Sequence, residues 1–254
     1  MASRVYQTEA IVIKKSRFGE IDRLVTLYTP DYGKIIAIAK GAMRPKSKLG
    51  GNLELLTHTL VLLARGRNLD IITQAQTIDN FMALRENLYL ISCSFYISEL
   101  LDAFTEENAE DKQLFELILI TLQELSNGKD VEQVLHYFEL HLLEHLGYKP
   151  RLDRCVSCGR ELLPEVNYFS PVQGGTLCRE CGDPDVSAHI LSLNSLKVLR
   201  YWQICACTSA SRVKLSPELS KELKMIMRSY IKYILEKQLK SLAWLDELSG
   251  NHTR

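Results

Sequence analysis

The sequence predicts an α+β protein in which a small five-stranded barrel precedes a helical body with an inserted four-cysteine zinc module. Three observations predict this class. The first eighty residues contain five short runs rich in Ile, Val, Leu and Thr. From Phe81 onward the apolar residues recur at helical spacing, and two C-x-x-C units interrupt that spacing. A chain of 254 residues can bury a core that needs no disulfide to be stable.

The barrel prediction depends on the runs and on the turn residues between them. The runs are residues 9–15, 23–29, 34–40, 55–64 and 69–77. The longest connection, residues 41–52, is able to hold a short helical turn, and an OB barrel usually carries its extra helix there. This favours an OB barrel, although an SH3-like or Sm-like barrel would have a similar pattern.

The helical prediction comes from apolar residues spaced three and four apart. Residues 81–104, 110–128 and 130–147 predict three helices that pack on one another, and helical spacing returns in residues 194–207 and 216–248. Ser216 and Pro217 are suited to the cap and first position of the last of these segments. We expect an OB domain in residues 1–80, a helical domain in 81–150 and 186–250, and the zinc module in 151–185.

Four cysteines form a C-x2-C-x19-C-x2-C pattern: Cys155, Cys158, Cys178 and Cys181. This spacing is typical of a zinc site in which each C-x-x-C turn provides two thiolates. Gly159 and Gly182 follow the two pairs and are expected to relieve the tight turns. Because four protein ligands leave no position for water, we expect one structural Zn²⁺; a redox dithiol or a metal-free remnant is the alternative.

Three arginines lie beside the cysteines: Arg154, Arg160 and Arg179. Four thiolates around a dication carry a formal charge of about −2, which neighbouring cations can offset. Contact with phosphates is the other role open to these arginines.

An enzyme hypothesis comes from the sequence His141-Leu-Leu-Glu144-His145, which matches the H-x-x-E-H pattern of a family of zinc proteases. Residues four apart share a helix face, so the two histidines are able to bind one metal ion. The alternative is an ordinary amphipathic helix, because apolar residues already define a face there and no motif supplies a third ligand. We therefore expect no enzyme, with a metal-dependent hydrolase as an alternative.

Basic charge is concentrated in the predicted barrel. Residues 1–80 hold twelve Lys and Arg against seven Asp and Glu, a net charge of +5, and the rest of the chain carries −5. Such a barrel is suited to binding a polyanion, with Phe18, Tyr28 and Tyr32 as candidate stacking rings. The alternative is a solvated charged rim with the aromatic rings in the core. The candidate nucleic-acid-binding residues are Lys14, Lys15, Arg17, Arg23, Lys40, Arg44, Lys46, Lys48, Arg65 and Arg67.

The cellular location is predicted from the absence of two patterns. No stretch approaches the roughly 18 apolar residues of a membrane span. The first residues also lack the pattern of a signal peptide. We expect a cytoplasmic protein without a membrane partner.

Three segments carry a family resemblance. The runs "EAIVIKKSRFGEIDRLVTLYTPDYGKIIAIAKGAMRPKSKLGG", "HLLEHLGYKPRLDRCVSCG" and "GGTLCRECG" are similar to the bacterial recombination mediator family RecO. The resemblance implies an N-terminal OB domain and a helical domain with an inserted zinc module whose ligands are the four cysteines.

The resemblance also implies a function without catalytic turnover. Members of this family bind single- and double-stranded DNA and anneal complementary strands. With RecR they help to load RecA onto DNA coated by single-strand binding protein, whose C-terminal tail is an expected partner. The expected location is the nucleoid, and RecA is an indirect partner. An RNA- or ribosome-associated zinc-ribbon protein is the alternative from another class.

Overall fold

The computed structural model describes residues 4–210 and 212–252, which form two compact units. The first unit comprises Met1–Ser126 and Leu239–Arg254, and the second comprises Asn127–Gln238. The four-part domain division expected from the sequence stays a prediction. In the described ranges, every helix is too short or too polar to span a membrane.

The first unit begins with a closed five-stranded barrel. Its strands are β1 (Val5–Phe18), β2 (Asp22–Thr29), β3 (Gly33–Ala39), β4 (His58–Ala64) and β5 (Asp70–Asp79). Their order around the barrel is β1-β2-β3-β5-β4, with β4 paired to β1 and with β3 parallel to β5. A short helix α1 (Lys48–Asn52) lies between β3 and β4. This arrangement is the OB-fold, so the five predicted strands and the predicted helical turn are confirmed.

Small and β-branched side chains fill the barrel. Val12, Val25 and Val61 are fully buried, and Ala37 and Ala39 keep the interior narrow at β3. Tyr28 is also buried, at 1% exposure, because α3 (Lys112–Ser126) packs against β2. The prediction that Tyr28 is a stacking ring is therefore wrong.

Three further elements complete the first unit: a 3-10 turn (Met82–Arg85), α2 (Leu88–Phe104) and α9 (Ser241–His252). The side chain of Asn87 caps α2 by accepting from the backbone N–H of Tyr89 and Leu90. Helix α9 packs on α2, where the rings of Phe95 and Trp244 meet edge to face at 6.5 Å.

The turn between β2 and β3 contacts the loop after α2. Gly33 has a φ of +61°, and a Cβ added there would lie 2.0 Å from the carbonyl oxygen of Ala109. The backbone N–H of Asn108 donates to the carbonyl oxygen of Lys34 at 3.0 Å. Glycine at position 33 therefore meets two requirements, a left-handed backbone and a close approach of another segment.

Gly33→Ala is expected to lower the free energy of unfolding by about 3 kcal/mol, because backbone strain and overlap with Ala109 add to each other. Gly19→Ala is the matched control. Gly19 has a similar φ of +66°, but nothing lies within 4 Å of its added Cβ. Urea unfolding of the two variants separates strain from overlap, and equal losses would show that the contact with Ala109 has no energetic role.

The second unit is mainly helical. Its helices are α4 (Val131–His145), α5 (Arg179–Gly182), α6 (Leu193–Trp202), α7 (Cys207–Ala210) and α8 (Pro217–Leu235). The core contains Phe138, Leu142, Trp202, Leu223 and Ile226, all at 0% exposure. As predicted, Ser216 caps α8 with its side chain and Pro217 is in the first turn.

A small sheet in the second unit was not predicted from the sequence. It has the order β7-β6-β8, formed by β6 (Asn167–Ser170), β7 (Gly175–Leu177) and β8 (His189–Leu191). Strand β6 lies between the two C-x-x-C units in the sequence, and α5 packs against it. The sheet therefore supports the four-cysteine cluster.

Candidate functional site

Two loops meet at the end of the barrel where β1 ends. Arg17 pairs with Arg23 on β2, and Arg23 pairs with Ala39 on β3, so the connections after β1 and β3 leave the barrel side by side. The backbone N–H of Met43 donates to the carbonyl oxygen of Ile21 at 2.9 Å. We call the exposed cations at this end of the barrel the basic edge: Arg17 near the end of β1, Lys40, Arg44 and Lys46 on the loop after β3, and Lys48 at the start of α1.

The side chains of the basic edge are available for binding. All five are exposed, and none forms an ion pair with another residue in the described part of the chain. Arg17 donates from Nε to the carbonyl oxygen of Gly19 at 3.1 Å, which leaves its other guanidinium donors free to face solvent. Cations without a carboxylate partner gain more from a phosphate than cations that must first leave an ion pair.

Apolar side chains accompany these cations. Phe18 at the end of β1, and Ile21 and Met43 on the two loops, are exposed by 44%, 40% and 39%, respectively. Phe18 was a candidate stacking ring, and its exposure is suited to that role. Ile21 and Met43 were not predicted as site residues. They are brought together by the hydrogen bond between their backbones, which no sequence pattern indicates.

Three of the candidate cations are neutralised within the first unit. Lys14 Nζ lies 2.6 Å from Asp102 Oδ2, and Arg23 Nη1 lies 3.2 Å from Glu54 Oε1. Lys15 also pairs with Glu54. Burial raises the pKa of Glu54, but its hydrogen bonds with Lys15 and Arg23 outweigh burial and hold this pKa below the usual range. A phosphate must displace a carboxylate to reach these cations.

The remaining candidate cations lie at the other end of β1, where Val5 pairs with Ala64. Arg65 is 4.9 Å above the ring of Tyr6, and the hydroxyl of Tyr6 donates to Asp70 Oδ2 at 2.5 Å. Burial and then this bond raise the pKa of Tyr6. Arg65 and Arg67 thus form a second basic group that the structure does not bring together with the basic edge.

The four predicted cysteines form a compact cluster in the second unit. All four sulfur atoms lie within 4.8 Å of one another, and Cys158 Sγ is 3.8 Å from Cys178 Sγ. A tetrahedral zinc ion with Zn–S bonds of about 2.3 Å requires neighbouring sulfurs about 3.8 Å apart. The cluster therefore has the donor atoms and the spacing of a closed metal site.

The glycines after the two cysteine pairs have different roles. Gly159 has a φ of +74°, and its N–H donates to the carbonyl oxygen of Cys155 at 2.9 Å, as expected for a tight turn. Gly182 has no left-handed backbone. A Cβ at Gly182 would lie 2.3 Å from Cδ2 of Tyr168, so this glycine is required by the packed ring rather than by the turn.

The cysteines of the cluster have pKa values shifted in opposite directions. Burial raises the pKa of Cys155, but N–H donors from Cys158, Cys178 and Ser157 outweigh it and lower this pKa to about 6. A bond from Ser157 lowers the pKa of Cys181, but burial and the neighbouring thiols outweigh it and raise this pKa to about 12. Four thiols this close cannot all ionise unless a cation compensates their charge, which is what a metal ion does.

The three arginines beside the cysteines pair with carboxylates. Arg160 Nη1 lies 2.6 Å from Glu180, Arg154 Nε 3.0 Å from Asp153, and Arg179 Nε 3.9 Å from Asp183. The pKa of Arg160 is raised first by Glu180 and then by the thiolates of Cys158 and Cys178. Arg160 is therefore placed to offset thiolate charge.

The H-x-x-E-H residues do not form a metal site. His141 Nε2 donates to the carbonyl oxygen of Trp202 at 2.9 Å, and its Nδ1 lies 3.3 Å from Glu144. Glu144 also pairs with Lys149 at 2.5 Å, and burial lowers the pKa of His141. Among the described residues, the four cysteines are the only group of three or more potential ligands close enough to share an ion. The hydrolase alternative has no structural support.

Fold and site together define an OB-fold protein whose helical unit carries a four-thiol cluster able to hold a metal ion. The family model "Recombination protein O N terminal" matches residues 1–81, and "Recombination protein O C terminal" matches residues 85–243. The chain belongs to the RecO family of DNA repair proteins.

Curated relatives agree with this assignment. The DNA repair protein RecO of Roseiflexus sp. (strain RS-1) is 44% identical over 248 residues, covering 98% of this chain and 87% of the relative. The protein of the same name from Dehalococcoides mccartyi (strain CBDB1) is 43% identical, covering 96% of each chain. That of Symbiobacterium thermophilum is 35% identical, covering 96% of this chain and 98% of the relative.

Proposed function

We propose that this protein is a non-enzymatic mediator that binds single- and double-stranded DNA and anneals complementary strands. The basic edge is the observation that carries the proposal, because it combines five exposed cations with an exposed phenylalanine on an OB barrel. The relatives' names support DNA rather than RNA as the polymer. Arg65 and Arg67 are proposed as a second, separate contact for the strand at the other end of the barrel.

Binding at such an edge is driven by release of counterions from the phosphates. Affinity then falls steeply with salt and depends little on base sequence. Annealing requires this property, since both strands must be held without regard to sequence while their bases pair. The same charge contributes to competition with single-strand binding protein for the strand.

The proposed cofactor is one structural Zn²⁺ held by Cys155, Cys158, Cys178 and Cys181. Their mutual distances support it. When bound, the ion would neutralise the thiolates and tie the two C-x-x-C turns together. Four protein ligands leave no open position, which supports a role without catalysis.

The proposed partners are RecR, the C-terminal tail of single-strand binding protein and, indirectly, RecA. The proposed location is the nucleoid in the cytoplasm. Membership of a family of DNA repair and recombination proteins supports these partners.

Annealing is the experiment that tests this function. The full chain should speed the pairing of two complementary strands coated with single-strand binding protein. On a coated strand without a complement, the chain together with RecR should speed the loading of RecA. RNA strands of equal length are the comparison for the polymer. Failure to accelerate pairing of either coated or bare DNA strands would contradict the proposal.

A further inference from the structure

A cavity of about 610 Å³ lies within the first unit, between β1 and helix α2. Ile13, Leu56, Phe81 and Leu84 are buried residues of its lining, and the ring of Phe95 is a further, exposed wall. The volume is within the range of about 300–1,000 Å³ that is typical of sites for small organic groups. The cavity is therefore large enough for a flat aromatic group.

Two polar side chains in this cavity have unused hydrogen-bonding capacity. Ser98 is only 5% exposed, and its Oγ has no hydrogen-bond partner among the described residues. Asn80 also lines the cavity; its backbone carbonyl accepts from Arg85 Nε, while its side-chain amide makes no hydrogen bond within the described ranges. A hydroxyl and an amide together offer donors and acceptors to a ligand with a polar edge.

Two cations of the cavity lining make no ion pair among the described residues: Lys240, and Arg85, whose guanidinium donates to the backbone carbonyl oxygens of Asn80 and Leu55. Asp102 pairs with Lys14, and the carboxylate of Glu99 accepts from the backbone N–H groups of Lys240 and Ser241 at 2.9 and 2.8 Å. The exposed ammonium group of Lys240 makes no ion pair with any residue that the structure describes. The rim is thus able to accept a negative charge.

The cavity also adjoins the proposed DNA surface. Lys14 lines it and precedes Arg17 of the basic edge by three residues on β1, or about 10 Å at 3.3 Å per residue. A strand held at the basic edge can therefore continue along β1 to the cavity.

We propose that this cavity receives one unstacked base of the bound strand. Phe95 provides a face for stacking, Asn80 and Ser98 bond to the polar edge of the base, and Lys240 pairs with the adjoining phosphate. The inference rests on the proposed DNA binding and specifies how the protein holds a strand open before pairing.

A peptide with an apolar end and acidic residues is the competing occupant. Its apolar side chain would leave the buried hydroxyl of Ser98 without a partner, whereas the edge of a base carries donors and acceptors. The unpartnered hydroxyl favours the base.

The test compares two strands of equal length and equal phosphate number, one of thymidines and one of abasic sites. The full chain should bind the thymidine strand more tightly, measured by fluorescence anisotropy. Phe95→Ala should lower the ratio of the two affinities by about tenfold, since base stacking contributes about 1–3 kcal/mol per base. Ser98→Ala should lower it about threefold, and both should leave abasic-strand binding unchanged.

Leu88→Ala is the matched control, because Leu88 is 64% exposed on the same helix and does not line the cavity. If the unmodified chain bound neither strand, the proposed function itself would be overturned. Normal binding with an affinity ratio that neither substitution changes would overturn only the base site. An unchanged ratio, together with loss of acidic-peptide binding in Phe95→Ala, would reassign the cavity to a peptide.

Discussion

Replacing Arg44, Lys46 and Lys48 together with glutamate will lower the affinity for single-stranded DNA by more than about 100-fold at low ionic strength. Arg44 and Lys46 are exposed on the β3–α1 loop and Lys48 is exposed at the first position of α1; none of them has an ion pair among the described residues, so each is free to contact a phosphate. On single strands each contact contributes about 0.7 to the slope of log affinity against log salt, so the slope should become shallower by about 2. Titrations at four or more salt concentrations measure both effects.

The control must separate the basic edge from net charge. Lys221, Lys232 and Lys237 are exposed lysines of the second unit, and their replacement by glutamate changes the net charge by the same amount. This control should keep most of the affinity. An equal loss in the control would mean that total charge governs binding, and an unchanged salt slope in the first variant would remove the β3–α1 loop from the DNA surface.

The barrel could be predicted from the sequence because its signals are local. Runs of β-branched residues and the turn residues between them gave all five strands, and the length of one connection gave α1. The burial of Tyr28, in contrast, depends on a contact with a segment far away in the sequence. Leu27 and Tyr28 are neighbours on β2 and point to opposite faces, yet both are buried because α3 covers one face.

The candidate DNA site was predictable only in part for the same reason. Composition identified the cations, but the partner of Lys14 is 88 residues away in sequence, at Asp102. Glu54 neutralises two more candidates after the chain folds back. The cavity beside α2 combines residues from β1, from the segment before β4, from α2 and from Lys240 just before α9, so no single sequence pattern contains it.

The cysteine cluster was the most predictable feature, since ligand spacing alone restricts the geometry. The supporting strands β6, β7 and β8 were missed, because three or four residues are too few to show an alternating pattern. The prediction that Gly182 relieves a tight turn was also wrong. Glycine is required there by the ring of Tyr168, which belongs to that unpredicted sheet.

Cys158→Ser will remove the metal ion and lower the thermal midpoint of the second unit by about 10 °C or more. Cys158 is exposed, so this substitution creates no cavity in the core, and the loss of stability reports the metal. The unmodified chain should contain one zinc ion per molecule by elemental analysis, and the variant none. A strong chelator should lower the midpoint of the unmodified chain to that of the variant in calorimetry.

Cys205→Ser is the matched control, because Cys205 is a half-buried cysteine outside the cluster. It should keep the zinc ion and the midpoint of the unmodified chain.

DNA affinity should survive in Cys158→Ser, since the basic edge belongs to the first unit and the cysteines to the second. A variant that is folded by circular dichroism but no longer binds DNA would show that the ion does more than hold the module together. A variant that retains its zinc would show that three thiolates are sufficient, and the closed four-thiolate site would be wrong.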